Sequence, residues 1–465
     1  MAIQQQLRPY QIEVGRAVLE SVLNRRGLTF SVEIARQGGK NELSAQLEVL
    51  LLTLFAGFGG NLVKCAPTFK PQVITSMARL KERLNDAGYS GVWVPEHGYM
   101  VRFGKACQIF LSAEGSSSVV GATAHILLEV DESQDVSPEK YSKEFKPMAS
   151  TTNATTVHYG TAWDDKTLLE QVKQTNLELE RRDGIKRHFQ YDWQEIAKYN
   201  PDYGRYVDGE RQRLGESHPL FQTQYCLRPI HGGGGFLSQQ QLAQMRGDHP
   251  RRHRPDLGRS VFVAGVDVGG EESEEVALRA AKPRQDSTVL TIARLDYADS
   301  DDIIGSPRLE IVEHYWWIGV SHNDLYARLV DVLKNVWRCK RVVVDSTGLG
   351  EGIASFLRKA LGRSVVIPFK FSQSSKSSLG FELLAAINGG RVKIYAADGS
   401  EEYGQFWFQM ERAKSSYRAN QTMNFFVDPS EGHDDFLMSL ALAVEAAKDY
   451  VPRKAKGGLR KDLVQ

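Results

Sequence analysis

The chain has 465 residues, 42% hydrophobic and 25% charged; at roughly 150 residues per domain it holds two or three cored domains, which excludes a lone small binding module and a wholly disordered chain. Lysines and arginines number 58 against 57 acids, a net charge of +1, so there is no global basic field and any polyanion must be met by a local patch. The cysteines Cys65, Cys107, Cys226 and Cys339 are far apart and lack C-x-x-C spacing, which argues against a zinc site or a disulfide framework.

The opening AIQQQLRPYQ lacks the basic and apolar regions of a secretory leader, and the longest apolar run, Val49 to Phe58, is about half of what spans a bilayer. A soluble intracellular protein is expected. From Leu7 to about Pro229 helix and strand alternate: a helix over Pro9–Leu23, strand Leu28–Ala35, helix Asn41–Phe55, strand Asn61–Ala66 and helix Pro71–Asn85. Strands follow within Val101–Ser112, at Ile126–Val130 and at Thr156–Thr161. Short apolar strands separated by helices predict a mainly parallel sheet covered on both faces.

Residues 162–228 are charged and read as helical, and His231–Gly235 then spells HGGGG, a sequence suited to a flexible connection, or to a surface loop within one domain. The second half restarts with VFVAGVDVGG, DSTVLTIARL and LEIVEHYWWIG, spaced as an antiparallel meander. A helix over Asn323–Val336, strand RVVVDS, a helix, strand SVVIPFKF and a last helix over Asp434–Asp449 follow, which makes a mixed α/β sheet. The tail from Tyr450 carries five basic residues and one acid and reads as mobile.

Three features of the first half point to nucleotide chemistry. SVEIARQGGKNE sets Gly38, Gly39 and Lys40 between a strand and a helix, where backbone N–H groups cradle phosphates and a lysine reaches the β and γ oxygens. The full pattern would need glycine at Ile34 and a hydroxyl at Asn41, so an ordinary strand-to-helix turn is the competing reading. The strand ILLEV ends in Asp131 and Glu132, as suits a magnesium-binding aspartate beside a water-activating carboxylate, or an acidic pair that merely ends a strand. In Leu7–Gln11 (LRPYQ) the Gln11 amide and the Tyr10 ring suit an adenine, and the same residues suit a helix start. The second half places Asp267, Asp345 and the Asp434–Asp435 pair at strand ends or a helix start. Carboxylates gathered at one sheet edge hold Mg²⁺ or Mn²⁺ for phosphodiester cleavage, although each taken singly also suits a loop or a helix cap.

In order along the chain these motifs resemble those of the large subunit of tailed-bacteriophage terminases, the motor and nuclease of viral DNA packaging. The resemblance runs from LRPYQ through ARQGGK, LLEVDE and VHYGTA to VDVGG, VVVDSTGLG and GHDDFLMSLALA. It implies an α/β protein with a P-loop ATPase domain of the additional-strand type and a helical lid, followed by an RNase H-like mixed-sheet nuclease. The expected divisions are 1–161 for the ATPase core, 162–230 for the lid, 231–258 for a glycine-rich linker, 259–449 for the nuclease and 450–465 for a basic flexible tail.

The nucleotide set so implied is Arg8, Gln11, Arg36, Gln37, Gly38, Gly39, Lys40, Asn41 and Asp131, with Glu132 catalytic and Gly160 and Thr161 coupling hydrolysis to movement. Asp267, Asp345 and Asp434 fall on the nuclease metals, with Asp435 assisting. ATP and Mg²⁺, with Mn²⁺ in the nuclease site, are the implied cofactors. The implied partners are double-stranded DNA, the portal protein of the procapsid, a small terminase subunit and further copies in a ring. The implied place is the host cytoplasm, docked transiently on the procapsid, with no membrane role. Two departures stand out: Asn41 replaces the magnesium-binding hydroxyl, and Val120 precedes Gly121 where many members carry an arginine that serves a neighbouring subunit. A cellular helicase or repair nuclease is the rival, weakened by the lack of a second ATP-contacting half. The other rival is an assembly protein with decayed sites, weakened by Lys40, Glu132 and the nuclease aspartates.

Overall fold

The computed structural model describes residues 6–114, 121–230, 234–256, 260–269, 287–297, 307–348, 350–418, 420–448 and 450. Val120, the start of the HGGGG run, residues 257–259, the last glycine of VDVGG, Leu349 and the tail beyond Tyr450 lie outside the described residues. The chain divides into two compact units. One comprises Met1–Arg211, Glu216–Gly232 and Tyr417–Gln421, the other Gln212–Gly215, Gly233–Ser416 and Thr422–Gln465.

The first unit is built on eight strands: β1 (Thr29–Ile34), β2 (Gly60–Ala66), β3 (Val94–Glu96), β4 (Met100–Phe103), β5 (Ala106–Ser112), β6 (Leu127–Val130), β7 (Thr155–Gly160) and β8 (His188–Tyr191). They lie in the order β3-β4-β5-β2-β6-β7-β1-β8. From β5 to β8 every pair is parallel, as expected, and β3 and β4 add an antiparallel edge. A parallel strand with helices on both faces needs a nearly continuous apolar run, and Phe30, Val32, Val63, Cys65, Leu128, Val130 and Val157 are all buried. Each such side chain contributes about 1.5–3 kcal/mol by leaving water.

The segment expected to be helical does carry the helices Leu168–Asp183, Trp193–Ala197, Pro201–Leu214 and Pro219–Gln224, but β8 interrupts them. Its Phe189 and Tyr191 are buried with exposed Gln190 between them, the alternation of a half-covered edge strand. Because the main sheet is parallel, the loops after β1, β6, β7 and β2 all emerge at its carboxyl edge, where open α/β sheets place their ligands.

Behind that edge lies a buried polar cluster. The Lys64 ammonium on β2 donates to Ser44 Oγ at 2.7 Å and Glu48 Oε1 at 3.2 Å, and Ser44 Oγ donates to Glu129 Oε1 on β6 at 2.6 Å. Ser44 and Glu48 belong to the helix Lys40–Phe55. Burial and the neighbouring Glu48 push the Glu129 carboxyl well above its ordinary value.

The second unit holds β9 (Gly234–Gly235), β10 (Val261–Asp267), β11 (Ser287–Asp296), β12 (Arg308–Ile318), β13 (Arg341–Asp345), β14 (Val366–Phe369), β15 (Val392–Ile394), β16 (Lys414–Tyr417) and β17 (Met423–Phe426). A six-stranded sheet runs β14-β13-β10-β11-β12-β15, and a three-stranded one β17-β16-β9. β10, β11 and β12 form the expected antiparallel meander, while β13, β14 and β15 join in parallel. Phe262, Ala264 and Val266 pack with Val342 and Val344 against Leu325, Leu329, Ile353 and Leu357. The alternate residues of β10 and β13 therefore face the other side. There the helix Asp435–Ala447 lies so close that a methyl on Gly265 would stand 2.2 Å from the Ser439 carbonyl oxygen and 2.3 Å from the Ala443 nitrogen. Thr291 and Ser439 share a hydroxyl hydrogen bond of 2.7 Å at the same contact. Among the described residues no helix is long and apolar enough to cross a membrane.

Candidate active sites

At the carboxyl edge of the first sheet the chain leaves β1, turns through Ala35–Gly39 and enters the helix Lys40–Phe55 with Gly39 at its N-cap at φ +90°, a conformation that glycine alone adopts freely. The turn lines a cavity of about 560 Å³ to which Arg36, Gln37, Gly38, Gly39, Lys40 and Asn41 all contribute. Glu132 and Thr161 line it too, as do Gln72, Arg79, Gln134 and Asp135, which sequence reasoning missed. The two ends of one degenerate motif and two separate strand ends thus meet on a single space beside a helix N-terminus, a place that favours anions.

Lys40 joins the elements electrostatically. Its ammonium stands 2.7 Å from Glu132 Oε1 and 3.4 Å from Asp131 Oδ1. Burial opposes its charge, but Glu132 and Asp131 outweigh burial and hold its proton affinity above that of an ordinary lysine. Buried Asp131 is likewise held below the usual carboxylate range, because Lys40 and Lys64 overcome its desolvation. Glu132 sits at φ +46°, ψ +49°, a left-handed conformation that costs a non-glycine residue about 1–2 kcal/mol. Strain of this kind persists only where the surroundings enforce it.

Gln134 supplies that constraint: its amide nitrogen donates to Glu132 Oε2 at 2.8 Å, and its carbonyl oxygen accepts from the Thr161 N–H at 3.3 Å. A methyl on Gly160 would lie 2.1 Å from that same carbonyl oxygen. The expected coupling pair, Gly160 and Thr161, is therefore one side chain away from the carboxylate. Asp135, next in line, is pushed up to about 6 by burial and by Glu132.

Arg8 and Gln11 do not line the cavity. Gln11 is buried; its carbonyl oxygen accepts from the Arg8 N–H at 2.8 Å and its amide nitrogen donates to the Gly39 carbonyl at 2.8 Å. The Tyr10 hydroxyl donates to the Gly38 carbonyl at 2.6 Å and the Tyr203 hydroxyl to the Arg36 carbonyl at 2.9 Å. LRPYQ thus braces the Ala35–Gly39 turn from behind, and both polar ends of the glutamine are spent on the chain itself.

In the second unit Asp267 ends β10 and Asp345 ends β13, one step past the Val266–Val344 pairing, so the two carboxylates fall side by side on the face covered by the helix Asp435–Ala447. Asp434 is that helix's N-cap, and Asp435 accepts a short hydrogen bond from the Ser287 hydroxyl. Asp345 Oδ1 accepts from the Thr347 N–H at 2.8 Å. Burial first, then Asp435, Asp345 and Asp434, push Asp267 well above the usual carboxylate value; Lys376, unremarked in the sequence, opposes them. Asp345 and Asp434 are raised by burial as well. The four share one electrostatic neighbourhood, yet among the described residues no three His, Cys, Asp or Glu side chains stand close enough to hold a metal ion. What the fold supplies is a set of hard oxygen donors around Asp267, whose charge its neighbours oppose and a divalent cation would favour.

No protein-family model matches the sequence, and no curated protein matches it significantly. Solved structures do. The large terminase of a thermophilic bacteriophage superposes with a TM-score of 0.55 at 13% identity, over 95% of this chain and 99% of that one. The same protein in complex with ADP gives 0.53 at 12% identity, and in complex with ATP-γ-S 0.52 at 12%, each with the same coverage. Over nearly its whole length, then, this chain has the α/β fold of a phage large terminase.

Proposed function

We propose that this protein hydrolyses ATP to drive double-stranded DNA into a procapsid and cuts that DNA with divalent metal ions, acting as the large subunit of a packaging motor. The observation that carries the reading is the connected path Lys40–Glu132–Gln134–Thr161 on one polar cavity. In it the turn's N–H groups and Lys40 hold the phosphates, Glu132 orients the attacking water, and Gln134 relays the state of the site to Thr161, the residue that follows β7.

Asn41 offers a substitute for the missing magnesium-binding hydroxyl. Its side-chain oxygen is buried without any hydrogen-bond partner, and an amide oxygen is a hard ligand of the kind Mg²⁺ takes; Asn41 and Asp131 would hold the ion. Magnesium bound there would screen the β and γ oxygens. In the second unit Asp267, Asp345, Asp434 and Asp435 would hold Mg²⁺ or Mn²⁺ for phosphodiester cleavage, their charges balancing the metals rather than one another. The portal protein, the small subunit and a ring of copies are the partners this role requires, and sequence-independent grip on DNA phosphates the contact it requires.

The test is DNA-stimulated ATP hydrolysis by the purified chain together with metal-dependent plasmid cutting. Wild-type protein that is folded and binds DNA but turns over no ATP contradicts the reading. Asn41→Ala is expected to raise the magnesium concentration needed for half-maximal turnover about tenfold or more, and Asn41→Thr to restore it.

A further inference from the structure

We propose that Arg79 acts in cis as the cation that neutralises the phosphoryl group in flight, an inference that rests on the ATPase reading above. Arg79 lies on the helix Ile74–Asp86, outside every motif, yet lines the same cavity as Lys40 and Glu132. The two arginines of this helix are treated in opposite ways. Arg83, one turn on, is held by Asp86 at 2.9 Å and Glu82 at 2.8 Å, with Glu42 at 3.8 Å. Arg79 is half-buried and makes no hydrogen bond or ion pair among the described residues. A guanidinium drawn partly out of water with no partner costs free energy, and the cavity in front of it is where a partner anion belongs.

The strand order says which phosphate. Across the carboxyl edge the sequence is β1, β7, β6, β2: the phosphate turn follows β1, Asp131 and Glu132 follow β6, and the segment leading to Arg79 follows β2. A triphosphate anchored on the turn and running toward Glu132 brings its γ end to the β2 side. A second donor waits on that segment. The Gln72 carbonyl oxygen is occupied by the Thr68 N–H at 2.9 Å and the Thr68 hydroxyl at 3.0 Å, which leaves its amide nitrogen for the cavity.

In the step itself the water oxygen bonds to the γ-phosphorus as the bond to the β,γ-bridging oxygen breaks. The water proton passes to the Glu132 carboxylate, and the electron pair of the broken bond leaves with ADP as inorganic phosphate forms. Arg79 keeps its protons throughout. Its two parallel N–H donors match the equatorial oxygens on which charge spreads, so its effect belongs to the transition state more than to bound ATP.

The experiment compares Arg79→Ala, Arg79→Gln and Arg79→Lys with wild type for turnover, affinity for ATP-γ-S, and affinity for ADP with aluminium fluoride, which mimics the flying phosphoryl. Expected for the alanine and glutamine variants is a kcat reduced about 100-fold or more, ATP-γ-S affinity within about threefold of wild type, and loss of the aluminium fluoride complex, with lysine intermediate. Mixing Arg79→Ala with Glu132→Ala should restore nothing, since an arginine that serves its own site cannot complement a neighbour. Unchanged kcat and fluoride trapping in the variants, an effect confined to KM, or recovery on mixing each overturns the proposal. Wild type that hydrolyses no ATP defeats instead the function on which it rests.

Discussion

Replacing Gly265 by alanine probes whether the second unit is held as described. The added methyl would lie 2.2 Å from the Ser439 carbonyl oxygen, 2.3 Å from the Ala443 nitrogen and 2.8 Å from the Leu442 carbonyl carbon. All three are backbone atoms of the helix Asp435–Ala447, so no side chain can swing aside. Ordinary contact begins near 3.5 Å, so the helix must withdraw from β10 by about 1 Å. Overpacking of this kind costs roughly 1–3 kcal/mol, and each kcal/mol lowers the melting midpoint of a unit this size by about 2–4 °C. A fall of roughly 2–12 °C in the transition of the second unit, followed by circular dichroism, is therefore expected. The same withdrawal carries Asp434 and Asp435 away from Asp267, and a misplacement of about 1 Å costs on the order of 100-fold in rate, read as plasmid nicking at a temperature where the variant is folded. Gly352→Ala is the control: on the helix Gly350–Leu361, a methyl there meets nothing within 4 Å and should stabilise by about 0.5–1 kcal/mol. A Gly265→Ala protein with wild-type midpoint and wild-type nicking would refute the close contact and the placement of the aspartates that follows from it.

Glu132→Ala should abolish ATP turnover with nucleotide binding retained, and Lys40→Ala should weaken binding itself; equilibrium binding of a fluorescent ATP analogue beside a phosphate-release assay separates the two. Asp267→Ala, Asp345→Ala and Asp434→Ala should each remove most DNA cutting and leave ATP hydrolysis near wild type, which gel analysis of plasmid with Mg²⁺ and with Mn²⁺ checks. Buried His158 is held down to about 3 by desolvation, far below its unfolded value near 6.5, so the unfolded chain binds the extra proton and stability falls as pH drops below about 6.5. His158→Gln should flatten that decline between about pH 6.5 and 4, and melting curves with parallel slopes for the two proteins would count against it.

What could be read in the sequence follows from how far apart the contributing residues are. Arg36–Asn41 are neighbours in the chain and Asp131–Glu132 end an apolar run, so both sides of the cavity that Arg36–Asn41 and Glu132 line announce themselves as candidates. VFVAGVD and RVVVD carry their aspartates at strand ends in the same way. Arg79 and Gln72 carry no such mark, because only the β2–β6 pairing brings their segment beside Glu132. The Gln11 side chain is ambiguous for a related reason: a glutamine beside a helix start fits an adenine edge as well as it fits a turn carbonyl, and only the fold reveals the Gly39 carbonyl in front of it. β3 is short and mostly exposed, and β8 spans four residues among helices, lengths over which periodicity has no time to establish itself.

The buried cluster around Lys64 bears on how this molecule breathes. It ties the helix that begins at Lys40, β2 and β6 to one another through groups sealed from water, and removing one partner of such a set strands a charge at a cost of about 3–5 kcal/mol. Opening β6 alone would take away the Glu129 oxygen that accepts from the buried Ser44 hydroxyl, at a cost of about 1–3 kcal/mol. Amide hydrogens of β2, β6 and the Lys40–Phe55 helix should therefore exchange with solvent only when the whole unit unfolds, in one slow cooperative event, while the surface helices after β7 exchange through small local openings.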